Sequence, residues 1–126
     1  MESRAQVIPK IFANKYHHVD CSKMFFTDGS HLDGSTGFGV FNSNITVSHK
    51  LDDPASVYVA ELAVIQYTLG IIETLPTDHY FIFTDSLSSV EAIHSKRMRG
   101  HSPYFLGKIR ELLSALSRKS YQVTLV

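Results

Sequence analysis

The hydrophobic residues of this chain fall into blocks whose spacing changes along its length. Residues 1 to about 22 follow neither a two-residue nor a 3.6-residue period, which predicts a linker or N-terminal arm. The run Lys23-Met24-Phe25-Phe26-Thr27 is apolar, aromatic and rich in strand formers, and Asp28-Gly29-Ser30 reads as the turn that ends this first strand. Asp33-Gly34 marks another turn. Gly37 to Phe41 and Ile45 to His49 then read as two strands separated by Asn42-Ser43-Asn44, giving an antiparallel meander of three.

The period then changes. Asp53-Pro54-Ala55-Ser56 supplies helix-capping chemistry, Val57 to about Glu73 has helical spacing, and Leu75-Pro76-Thr77 stops it. His79 to Thr84 is almost continuously apolar, as expected of a strand buried on both faces in a parallel pairing. After Asp85-Ser86 the spacing of Leu87, Val90 and Ile93 predicts a short helix, with Ser88 and Glu91 spaced as a capping box. Ser102-Pro103 fits an N-cap and first helical position, and Phe105, Ile109, Leu112, Leu113 and Leu116 form the apolar stripe of a third helix to about Arg118. Tyr121 to Val126 is a last strand-like run. The order β-β-β-α-β-α-α-β calls for an α/β fold: a mixed five-stranded sheet with helices on both faces, the first helix serving as the crossover into a parallel strand.

Composition narrows the picture. With 126 residues, 44% of them hydrophobic and 19% charged, the chain is long enough for one domain with a real core, placed over residues 23–126. The formal net charge of zero argues against a protein that coats nucleic acid by bulk electrostatics, so any such contact is local. Lys96, Arg97 and Arg99 near Gly100 are one candidate patch, with a solvated loop as the equal alternative. The single Cys21 offers no intrachain disulfide, and no apolar run reaches the length of a signal peptide or membrane span. A soluble intracellular protein without a membrane partner is expected.

Three carboxylates carry the candidate chemistry. Asp28 and Asp85 each follow an apolar strand run, and ligand sites of open α/β sheets gather at the carboxyl ends of strands. Taken singly, Asp28 is equally well an Asp-Gly turn residue and Asp85 a helix N-cap. Glu61 shifts the balance. On a helical wheel it lies among Val57, Val64, Ile65, Thr68 and Ile72, inside the apolar arc, and a buried carboxylate needs a cation, a donor or a proton. Brought together, the three would repel one another unless a hard divalent cation intervened. Mg²⁺, with its preference for carboxylate and water oxygens, is the natural ion, Mn²⁺ a substitute, and phosphoryl transfer the natural chemistry. A buried hydrogen-bond network is the structural alternative.

At Thr27-Asp28-Gly29-Ser30, the glycines Gly37 and Gly39, Ala60-Glu61-Leu62 and Thr84-Asp85-Ser86 the sequence resembles the ribonuclease H family, most nearly the ribonuclease H domains of insect-type non-LTR retrotransposons. The resemblance covers roughly residues 23 to 126, and its weight lies in the ordered set rather than in any one tripeptide. It implies hydrolysis of the RNA strand of an RNA–DNA hybrid by two Mg²⁺ ions. Asp28 would contact both, Glu61 and Asp85 the one nearer the leaving side, with Ser30 and Ser86 touching the hybrid's backbone. It also implies membership of a retroelement polyprotein that includes a reverse transcriptase.

The family continues past its last strand into a tryptophan-proline-histidine loop and a helix with a fourth aspartate. Asp20, Asp33, Asp52, Asp53, His94 and His101 stand in no equivalent place. The chain is therefore expected to be incomplete at its C-terminus, to lack the final helix and the fourth carboxylate, and to be impaired as a nuclease. A catalytically inactive module that binds nucleic acid or protein is the alternative function. His17-His18 reads as exposed linker rather than as a metal pair.

Overall fold

The computed structural model describes residues 19–32, 34–51, 56–94 and 103–126. Five strands, β1 (Met24–Leu32), β2 (Ser35–Phe41), β3 (Thr46–Lys50), β4 (His79–Phe83) and β5 (Gln122–Leu125), form one sheet in the order β3-β2-β1-β4-β5. The pairs β1–β2 and β2–β3 are antiparallel, whereas β1–β4 and β4–β5 are parallel. The helices are α1 (Val57–Glu73), α2 (Leu87–His94) and α3 (Pro103–Arg118). This is the expected mixed sheet in the expected order.

The central strands are apolar on both sides, building the main core with the helices on the inner face and a smaller aromatic cluster on the outer one. Phe25, Val40, Tyr80 and Ile82 point to the inner face, where they meet Leu62, Ile65, Leu69 and Ile72 of α1 and Leu106, Ile109 and Leu116 of α3. Ile93 of α2 joins the same core. Phe26, Phe81 and Phe83 form a smaller cluster on the outer face, bordered by Val19, Met24, Phe41 and Val126. All three described helices belong to the inner side, and among the described residues none packs on the outer face. Arg110 of α3 donates to the carbonyls of Ala92 and Ile93, tying the end of α2 to α3.

Several local expectations are revised. Asp28-Gly29-Ser30 is not a turn: β1 runs straight through it, pairing Asp28 with Gly39, Gly29 with Phe38 and Ser30 with Gly37. Gly29 stands in a strand here because the helix after β3 lies where its side chain would be. The start of α2 is served by Ser86, whose Oγ accepts from Ser89 N–H, so Ser88 and Glu91 lie inside the helix instead of forming its capping box. In α3 the stripe centres on Leu106, Ile109 and Leu116, with Phe105, Leu112 and Leu113 at its flanks. Residues 19–22 already belong to the folded unit, since Val19 packs on the outer cluster and Asn42 Nδ2 donates to Ser22 O and Met24 O. Asp33, Asp52, Asp53, His17, His18, His101, Ser102 and the Lys96–Arg97–Arg99 patch lie outside the described residues.

Ser56 ends the lead-in to α1: it sits in extended backbone and its Oγ accepts from Val59 N–H at 3.2 Å. Ser56→Ala removes that bond and is expected to cost about 1 kcal/mol. Urea denaturation should show a lower midpoint at unchanged m-value.

Candidate metal centre

The centre is made by the place where the sheet splits. β1 pairs with β4 only from Met24 to Phe26, opposite Phe81 to Phe83. Beyond that point β4 ends, while β1 continues to Leu32 against β2. Because β1's two neighbours run in opposite directions, a crevice opens at the carboxyl end of β4, the kind of switch point at which α/β sheets place ligands. The Thr27 hydroxyl bridges the start of the split by donating to Phe83 O at 3.3 Å. Asp28 follows on β1, and Thr84 and Asp85 leave β4 directly opposite.

Glu61 reaches into this crevice from the second turn of α1. The helix comes so close to β1 that a Cβ on Gly29 would lie 3.0 Å from Glu61 N and 3.1 Å from both Ala60 Cβ and Glu61 Oε1. Only glycine fits there without displacing backbone. The close approach lets Gly29 N–H donate to Glu61 Oε1 at 2.8 Å, while the Thr84 hydroxyl donates to Oε2 at 3.2 Å. Both carboxylate oxygens are thus held at the centre of the split.

Asp28, Glu61 and Asp85 each present a carboxylate oxygen, and these oxygens all lie within 4.8 Å of one another. Glu61 is 4% exposed, Asp28 is half-buried and Asp85 is exposed. Burial is the main force raising the pKa of Glu61, and the charges of Asp85 and Asp28 push the same way. The bonds from Gly29 and Thr84 oppose them without cancelling the rise. A buried carboxylate facing two others is suited to a hard cation with oxygen ligands, which would offset the repulsion that raises its pKa. The donor set, three carboxylates with no thiolate or imidazole, fits Mg²⁺, Mn²⁺ or Ca²⁺.

All three candidate carboxylates are therefore brought together. The alternative roles recede: Asp28 lies inside a strand, and the helix start beside Asp85 is supplied by Ser86. Ser30 lies on β1 two residues beyond Asp28, on the same outer face. Ser86 sits at the mouth of the crevice with its Oγ within 2.7 Å of Ser89 Oγ. Two groups that orient Glu61 were not singled out from the sequence, the Gly29 N–H and the Thr84 hydroxyl. The available signal was the repetition of Thr-Asp at the end of both apolar runs.

No protein-family model matches the chain, and no curated protein matches it. Solved structures do match. LC11-RNase H1, in complex with an RNA/DNA hybrid, superposes with a TM-score of 0.63 at 14% identity over 82% of each chain. RNase H1 from the archaeon Halobacterium salinarum NRC-1 gives 0.61 at 14% identity, covering 82% of this chain and 83% of that one. The N-terminal RNase H domain of a Mycobacterium tuberculosis protein, solved as a fusion with maltose-binding protein, gives 0.59 at 19% identity over 83% of each chain. The chain has the ribonuclease H-like fold.

Two predictions rest on this geometry. Gly29→Ala forces α1 away from β1 and is expected to destabilise the protein by about 1–3 kcal/mol, read from denaturant midpoints. The second concerns pH. Glu61's raised pKa means that the folded state binds its proton more tightly than the unfolded state does. Its contribution to stability is present below the ordinary glutamate pKa and is lost as pH rises through the raised value. In chelator, melting temperature should therefore decline as pH rises from the ordinary glutamate pKa through the raised one, and Glu61→Gln should flatten that decline.

Proposed function

We propose that this chain is a metal-dependent ribonuclease H-type domain that hydrolyses the RNA strand of RNA–DNA hybrids, with Asp28, Glu61 and Asp85 as its metal-holding residues. The observation that carries this reading is the convergence of the three carboxylates at the sheet's switch point in a ribonuclease H-like fold. One of the matching proteins was solved on an RNA/DNA hybrid, which supports the choice of substrate. The ordered motif set further supports kinship with the ribonuclease H domains of non-LTR retrotransposons. On that reading the nuclease domain runs from residue 23 to 126, with residues 19–22 packed against it, and works inside the cell as part of a retroelement polyprotein with a reverse transcriptase.

Glu61, fixed by Gly29 and Thr84, offers a carboxylate that needs no reorientation when an ion arrives. Asp28 and Asp85 approach from the two sides of the split and would complete the ligand set, and the resemblance to ribonuclease H domains implies two ions, Asp28 serving both and Glu61 and Asp85 the one nearer the leaving side. Bound Mg²⁺ supplies an activated water and charge stabilisation at the scissile phosphate. Ser30, beside Asp28 on the outer face, would hydrogen-bond the hybrid's backbone. Ser86 could do so only by giving up part of its bonding to Ser89.

Metal binding is tested by thermal melts with and without Mg²⁺ or Mn²⁺. Free ion a hundredfold above Kd stabilises the native state by about 2.7 kcal/mol, and Asp28→Asn should abolish the rise in melting temperature. A mutant that responds like wild type would exclude Asp28 as a ligand. On a labelled hybrid, cleavage is expected to be slow in Mg²⁺, which retains its waters, and faster in Mn²⁺. Asp85→Asn should reduce it about a hundredfold through loss of positioning. Hybrid binding with no metal-dependent cleavage would favour a non-cutting module instead.

A further inference from the structure

Three strand glycines near the centre have different reasons for being glycine. Gly29 is required by the approach of α1. Gly37 is required by β3, because a Cβ there would lie 2.8 Å from His49 O. Gly39 has no such requirement: its Cβ would meet Val47 O at 3.5 Å and the Phe41 ring at 3.6 Å, ordinary contact distances. Nor does its backbone demand glycine, since Gly34 is the one described glycine with positive φ. Glycine inside a strand weakens it, and where packing and conformation do not call for it, the remaining reason is the close approach of something from outside.

The register says where that approach would occur. Gly39 pairs directly with Asp28, so a side chain at 39 would stand beside the Asp28 carboxylate on the outer face. It would also stand in a groove of about 640 Å³ that crosses β1, β2 and β3 on that face. Asp28 and Ser30 line one end of the groove, Gly37 and Gly39 its middle, and Ser48 and Lys50 the far side. Ser30, Ser48 and Lys50 offer hydrogen-bond donors and a cation to a sugar–phosphate backbone, Phe41 adds apolar surface beside them, and at Gly37 and Gly39 no side chain stands in the way.

We infer that this groove seats the strand to be cut and that Gly39 is a positioning residue whose missing side chain lets the sugar–phosphate backbone reach Asp28. The inference rests on the ribonuclease H-type reading of the carboxylate centre and adds to it the path of the strand across the sheet. A side chain at 39 blocks the strand while leaving the metal ligands in place.

The test compares wild type with Gly39→Val and Gly39→Ala by three measurements: melting temperature, calorimetric Mn²⁺ binding, and anisotropy of a fluorescently labelled RNA–DNA hybrid in Ca²⁺. Gly39→Val should weaken hybrid binding about tenfold, the scale of a modest steric clash, and Gly39→Ala less. Melting temperature should be no lower than that of wild type, because a strand gains from losing a glycine, and Mn²⁺ affinity should match wild type. If Gly39→Val does not fold, Gly39→Ala decides. A folded variant with wild-type hybrid affinity overturns the inference, as does one that loses Mn²⁺ and hybrid together, because Gly39 would then act by displacing Asp28. Wild-type protein that binds Mn²⁺ but not the hybrid overturns the functional reading itself and the inference with it.

Discussion

The near-contact between α1 and β1 at Gly29 is the constraint on which the rest of the structure depends. A glycine there lets the helix lie a few tenths of an ångström closer to the sheet than a residue with a Cβ would permit. That distance brings Glu61 within reach of the Gly29 N–H and seats Ala60, Leu62 and Ile65 fully inside the core. Packing and chemistry are satisfied by the same backbone position. A substitution at Gly29 would therefore move the carboxylate and loosen the helix together, and separating the two effects takes a change at Glu61 itself.

The sheet's mixed topology then decides what surrounds that carboxylate. Had β4 run on beside β1, ladder hydrogen bonds would have filled the crevice, and Glu61 would have met only backbone. Because β4 stops at Phe83, the crevice is lined by the Thr84 hydroxyl, Asp85 and Asp28. Burial of a carboxylate, and after it the neighbouring charges of Asp85 and Asp28, oppose folding in the absence of a counter-ion, and Glu61's raised pKa expresses that cost. Structures retain such an arrangement when a bound cation returns the energy in function, which is why the cluster is read as a metal centre.

The two faces of the sheet are used differently. The inner face carries the main core and the helices that aim Glu61. On the outer face the aromatic stack of Phe26 on Phe83, with ring centroids 5.0 Å apart, gives way along β1 to Asp28 and Ser30 and the groove across β2 and β3. One strand thus changes from apolar to polar on the same face within two residues. That change marks the boundary between the part of the sheet that stabilises the domain and the part left open to a ligand.

Much of this was legible in the sequence, because hydrophobic period and helix-capping chemistry are local properties. The five strands, the three helices and the buried position of Glu61 followed from residue spacing, and the ordered Asp28, Glu61 and Asp85 motifs pointed to one fold family. What the chain could not declare was anything that depends on a partner distant in sequence. Asp28-Gly29-Ser30 has the composition of a turn, and only pairing with Gly37, Phe38 and Gly39 makes it strand. Thr84 and the Gly29 N–H became the donors that orient Glu61 only once α1 had docked on the sheet. Likewise the three glycines look alike in the sequence, and it is the atoms that would surround each absent Cβ that distinguish Gly29 and Gly37, required by packing, from Gly39.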